Sequence, residues 1–156
     1  MRLSTKGRYA VMAMVDLASH EGAKPISLAE IAQRQGISLS YLEQLFGHLR
    51  RGGLVRSVRG PGGGYLLAHP AHRMRIADVI LAVDEPIKAV RCQPGSPMGC
   101  LADKGRCQTH HLWEELGNQI YLFLNSVTLA DVRDRRVLGM SRLRQETDPQ
   151  PSVAAQ

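Results

Sequence analysis

Residues 27 to 67 constrain the fold of this 156-residue chain more than any other stretch, because the hydrophobic period changes within them from that of a helix to that of a strand. Ser27-Leu-Ala-Glu30 has the spacing of a capping box ahead of the apolar residues Leu28, Ile31 and Ala32, and Gly36 ends this short helix. Leu42, Leu45, Phe46 and Leu49 then recur on one face of a second helix, for which Ser40 and Glu43 offer another capping box. Two short helices joined by a glycine-containing turn form a helix-turn-helix. Gly52 and Gly53 stop the second helix, L-V-R-S-V-R alternates as a strand, and Y-L-L beyond G-P-G-G-G can pair back on it. The expected class is therefore mainly α, a winged helix-turn-helix with a two-stranded wing.

The exposed side of the second helix offers Ser38, Ser40, Tyr41, Glu43 and Gln44, short or planar polar groups that can reach base edges and phosphates in a DNA major groove, with Arg50 at its far end. Glu43 is unusual on such a surface, since a carboxylate repels phosphate unless it accepts a hydrogen bond from a cytosine amino group. Arg59 and Gly60 stand at the expected wing tip, where glycines allow an arginine to approach a minor groove or a phosphate. An ordinary solvated helix face is the competing account of the helix. A nucleotide-phosphate loop competes for the wing, but Gly-Lys-Ser/Thr and a following helix are lacking. Charge separates these accounts: residues 1 to 75 hold 11 Lys and Arg against 4 Asp and Glu, a net +7, and residues 76 to 156 hold 9 against 10, a net −1. A basic half of this kind faces a polyanion.

Around this unit, Ser4 or Thr5 can cap a first helix whose Ala10, Ala13, Met14 and Leu17 share one face, and Ile76, Val79, Ile80 and Val83 mark another helix ending near Pro86. Thr109 can cap a longer helix with Leu112, Trp113, Leu116, Ile120, Phe123, Leu124 and Val127 on a broad apolar face. That face suits a partner helix from a second subunit, giving a homodimer, or else packs back on the first helix. A short helix follows around T-L-A-D-V-R-D-R-R. The domain plan is residues 1–85 for DNA binding, 86–111 for a ligand-binding loop, 112–139 for a dimerisation helix and a short terminal helix, and 140–156 for a disordered tail. No apolar run approaches the roughly 20 residues of a membrane span.

All three cysteines fall in one loop, with spacings of seven residues from Cys92 to Cys100, six to Cys107 and two to His110, and His111 next to it. The loop is rich in glycine and proline and brings little to bury, so it needs something inside it. Zinc sites use tighter Cys-x2-4-Cys pairs. An iron-sulfur cluster takes thiolates from a longer loop, and a histidine can replace one of them. Free cysteines are the third possibility, although they favour apolar cores. An odd cysteine count without a second framework argues for a reducing, cytoplasmic compartment. A thiol enzyme built on Cys107 lacks an identifiable third orienting group.

The stretches R-L-S-T-K-G-R-Y-A, S-Y-L-E-Q-L-F, R-G-P-G-G-G-Y-L-L, A-V-D-E and C-Q-T-H-H-L-W, spread over residues 1 to 139, resemble the family of winged-helix iron-sulfur regulators of transcription. Both spacers between the cysteines are longer than in the family by a residue or two. The resemblance implies a homodimer on double-stranded promoter DNA that holds a [2Fe-2S] cluster through Cys92, Cys100, Cys107 and His110. It implies that the iron-sulfur assembly machinery donates the cluster, that cluster assembly genes are controlled, and that the loaded protein represses its own operon. Relatives responding to nitric oxide or iron through a different cluster, and a zinc or thiol redox switch, are the neighbouring possibilities.

Overall fold

A computed structural model describes residues 4–22, 24–89, 99–101 and 105–138. Its helices are α1 (Thr5–Ser19), α2 (Leu28–Gln35), α3 (Leu39–Arg51), α4 (Ile76–Ala82), α5 (His110–Ser126) and α6 (Leu129–Arg133). Between α3 and α4 lie the strands β1 (Val55–Val58) and β2 (Gly64–Leu67), then a 3-10 turn at Ala71–Arg73.

Helix α1 is the centre of the molecule. Ala10, Ala13 and Met14 have no exposed surface and Leu17 is 2% exposed, because α2, α3, α4, α6 and β2 all pack around it. The Ser27 and Glu30 capping box forms as expected, and Gly36 closes α2 in the left-handed region at φ 65°, which a side chain would disfavour. That turn delivers α3, whose Leu42, Leu45, Phe46 and Leu49 are buried against the same core. The second capping box, expected at Ser40 and Glu43, does not form. Helix α3 begins at Leu39 with Ser38 as its extended N-cap residue (φ −63°, ψ 141°), so Ser40 already has helical backbone and cannot act as a cap.

Strands β1 and β2 pair antiparallel in the register Val55 with Leu67 and Val58 with Gly64. Two contacts fix this wing to the core. Ile26 and Tyr65 exchange backbone hydrogen bonds of 3.0 and 2.8 Å, and the Tyr65 ring meets Phe46 of α3 at 4.8 Å between centroids. A Cβ on Gly64 would lie 2.3 Å from the Ile26 carbonyl oxygen, so the close approach requires glycine there.

After α5 the chain returns to the first core. The Ile76 amide donates to the Val127 carbonyl and the Leu129 amide to that of Met74, both at 2.9 Å, and α6 lies against α1 and the 3-10 turn. Its start is a second capping box, Thr128 with Asp131, present in T-L-A-D but not singled out from the sequence. Helix α5 packs chiefly on α4, and most of the apolar face that could have packed back on α1 stays exposed. Val127 and Leu124 join the core, whereas Leu112, Trp113, Leu116 and Phe123 face outward. Thr109 occupies the N-cap position of α5 without a side-chain capping bond, because its hydroxyl oxygen accepts the Trp113 indole N–H at 3.2 Å. The expected tail, 140–156, lies outside the described residues.

One buried charge ties α1 to α2. Asp16, 6% exposed, accepts from Arg34 Nη2 at 2.6 Å, Arg34 Nε at 3.0 Å and Gln35 Nε2 at 2.6 Å. Burial opposes its ionisation, yet the Arg34 and Gln35 hydrogen bonds outweigh it and hold the carboxyl below the ordinary value of 3.8. The stability this group contributes is thus fully present above that value and is lost as pH falls through the lower folded value. Asp16→Ala should cost about 1–3 kcal/mol at neutral pH, since Arg34 is partly exposed and recovers some hydration. Urea midpoints measured from pH 7 down to about 3 should also fall less steeply below the reference aspartate pKa of about 3.9 in the variant than in the parent chain.

Candidate functional site

Ser38, Ser40, Glu43, Gln44 and Arg50 are all exposed along one side of α3. Tyr41 is half-buried, its ring edge-on to Tyr9 of α1 at 6.0 Å between centroids. Thr5 and Tyr9 line a cleft of about 490 Å³ together with Ser38, Ser40, Tyr41 and Gln44. Sequence reasoning missed the two α1 residues, because their place beside the recognition surface depends on how α1 crosses α3.

Arg59 and Gly60 are exposed at the wing tip, where the Gly63 amide closes the turn on the Gly60 carbonyl at 2.9 Å. Among the described residues, no carboxylate pairs with Arg50, Arg51, Arg56 or Arg59, while Arg34, Arg133 and Arg136 are engaged by Asp16, Glu21, Asp131 or Asp134. Arg50 and Arg51 at the end of α3 and Arg56 and Arg59 of the wing are all exposed, and exposed guanidinium groups on such a unit can meet phosphate.

The cysteine and histidine residues are drawn together only in part among the described residues. Cys100 Sγ stands 3.1 Å from His110 Nδ1, and the His110 amide donates to the Cys107 carbonyl at 3.0 Å, seating the loop on the first turn of α5. Cys107 Sγ lies 3.5 Å from the Thr109 hydroxyl. The two histidines differ sharply, for the side chain of His110 is 4% exposed and that of His111 is 80% exposed. Glu114 is 3.8 Å from Nε2 of His110. Cys92 lies outside the described residues, and no group of three metal-ligating side chains stands together within them. A thiol beside a buried imidazole is nevertheless a donor pair suited to iron or an iron-sulfur group.

Residues 3–135 match the model of Rrf2, described as an iron-dependent transcriptional regulator. The chain belongs to the Rrf2 family. It is 54% identical over 149 residues to the HTH-type transcriptional regulator IscR of Xenorhabdus nematophila, covering 95% of this chain and 88% of that one. Among solved structures, CymR, the global cysteine regulator of B. subtilis, superposes with a TM-score of 0.71 at 34% identity, over 86% of this chain and 98% of that one. IscR of T. potens gives 0.67 at 36% identity, over 100% and 93%. As an Rrf2 protein the chain is a DNA-binding transcriptional regulator and not an enzyme, and its winged helix-turn-helix is the fold of its relatives.

For an Rrf2 regulator with Arg59 at the wing tip, Arg59→Ala should weaken binding to every DNA sequence by a similar factor. The slope of log affinity against log salt should become shallower by about 0.9 for each phosphate that the arginine no longer neutralises. Titrations of labelled duplex at several salt concentrations check both quantities.

Proposed function

We propose that this Rrf2 protein is a cytoplasmic iron-sulfur sensor that binds promoter DNA as a homodimer, controls genes of cluster assembly, and represses its own operon when loaded. Cys92, Cys100, Cys107 and His110 are the ligands of a [2Fe-2S] cluster that the assembly machinery donates. The observation that carries the reading is the 3.1 Å approach of Cys100 Sγ to His110 Nδ1, on a ring that is buried while its neighbour His111 is exposed. When bound, such a cluster supplies a centre whose presence depends on iron and oxidant supply.

The chain's own residues do the rest. His110 contributes a neutral donor in place of a thiolate, which leaves the bound group less negative and raises its potential. Its seat on the first turn of α5 joins the loop to a rigid element, and the exposed stripe of α5 joins that element to a second copy. Leu112 is 61% exposed and Trp113 43%, and with Leu116 and Phe123 they give α5 an exposed apolar stripe of the kind that marks an interface. Two copies related by a twofold axis place two α3 helices on successive half-sites. Ser38, Ser40, Tyr41, Glu43 and Gln44 read base edges, and Arg50, Arg59 and the Gly60 backbone meet the DNA backbone.

Anaerobically isolated protein should be red-brown and carry iron and sulfide, and His110→Ala should bleach it where His111→Ala does not. A colourless, zinc-containing protein, or bleaching by the His111 change alone, overturns the ligand assignment. For the dimer, Leu116→Glu and Phe123→Glu change exposed positions, so the circular dichroism spectrum should be kept while sedimentation shifts to the monomer. Affinity for a twofold-symmetric site should fall on the order of 10²-fold as the avidity of paired half-sites disappears.

A further inference from the structure

Two consecutive carboxylates leave α4 and grip the DNA-reading unit at two points. Asp84, a non-glycine residue at φ 56°, places Oδ2 2.9 Å from Nδ1 of His48 in the last turn of α3. Glu85 turns to the start of α1, where Oε1 accepts the Ser4 amide at 2.7 Å and Oε2 accepts the Gly7 amide at 3.0 Å together with the Ser4 hydroxyl. A carboxylate there satisfies amides that no helical carbonyl can reach. Burial opposes the ionisation of Glu85, but the Ser4 and Gly7 hydrogen bonds prevail and hold its carboxyl below the usual carboxylate range, so the contact is charged at neutral pH.

The same strand of chain then reaches α5. Ile87 packs on the core, and the backbone at residues 88 and 89 lies so close to α5 that a Cβ on Gly117 would come within 3.1 Å of the Ala89 nitrogen and 3.5 Å of the Lys88 Cα. Gly117 is about two turns along α5 from His110. Residues 84–89 therefore touch the start of α1, the end of α3 and the helix that carries the buried histidine. Because Thr5 and Tyr9 of α1 wall the cleft opposite Ser40 and Gln44, a shift of α1 against α3 changes the surface presented to DNA.

We propose that residues 84–89 form the strap that couples the cysteine-histidine site to DNA affinity, with Asp84 and Glu85 as positioning residues holding α3 and α1 in register. The proposal rests on the sensor reading of the cysteine-histidine site. It supplies a contiguous contact through which both sites can bias the same element.

The test uses full-length chain, loaded and free of cluster, on the duplex that loaded parent protein selects from a random library. The parent ratio of affinities should be on the order of 5- to 150-fold, the span of ordinary coupling between two sites. Asp84→Asn keeps an exposed residue tolerant of positive φ, and Glu85→Gln keeps the shape of the side chain. Either change should bring the ratio below about threefold without altering iron content or visible spectrum. In cluster-free protein, Glu85→Gln should also speed hydrogen exchange at the Gly7 amide while leaving the amides of Val79 and Ile80 as they were. A parent-like ratio in both variants overturns the strap alone, and so does a reduced ratio in Glu85→Gln with unchanged exchange at Gly7. A parent ratio near one overturns the sensor reading and the strap with it. Should Glu85→Gln fail to fold, Asp84→Asn decides the matter by its ratio.

Discussion

Everything in this molecule depends on the buried face of α1. Ala10 and Ala13 have no exposed surface, and their small side chains let helices approach from several sides at once. The recognition helix, the wing and α6 all take their positions from that contact. A larger residue at either alanine would separate layers that come from opposite ends of the chain, since α6 closes the core that α1 opens.

The electrostatic design follows from this packing. Asp16 and Glu85 spend their charge inside the unit, one across α1 and α2 and the other on the amides at the start of α1. Carboxylates in the second half occupy Arg133 and Arg136. Arg50 and Arg51 on α3 and Arg56 and Arg59 of the wing are among the described arginines that no carboxylate engages. Arginines of the DNA-reading unit thus stay available to a polyanion.

The α5 segment has a different physical problem from the core. Its first turn presents a buried imidazole to a thiol, and its apolar stripe finds too little of this chain to cover it. The proposed cluster site rests on the first of these features and the proposed contact with a second copy on the other. Gly117, where the backbone of residues 88 and 89 sits, is the one residue of α5 besides His110 buried among those described.

Features set by neighbours along the chain were legible in the sequence: the Ser27 and Glu30 box, the Gly36 stop, the apolar faces of α1 and α3, and the hairpin at residues 55–67. Each depends on a periodicity or a backbone angle that local chemistry dictates. The Thr128 and Asp131 box is equally local, while Ser40 misleads because the cap shifts by two residues when α3 is held by the Gly36 turn. Contacts between distant parts of the chain left no such trace. Asp16 meets Arg34 and Gln35 eighteen and nineteen residues away, and Glu85 meets Ser4 across eighty-one. His110 and His111 make the same point at the shortest range. Their composition and spacing to Cys107 are nearly alike, but consecutive helical residues point about 100° apart, and the packing of α5 decides which imidazole is buried beside Cys100 and which faces water.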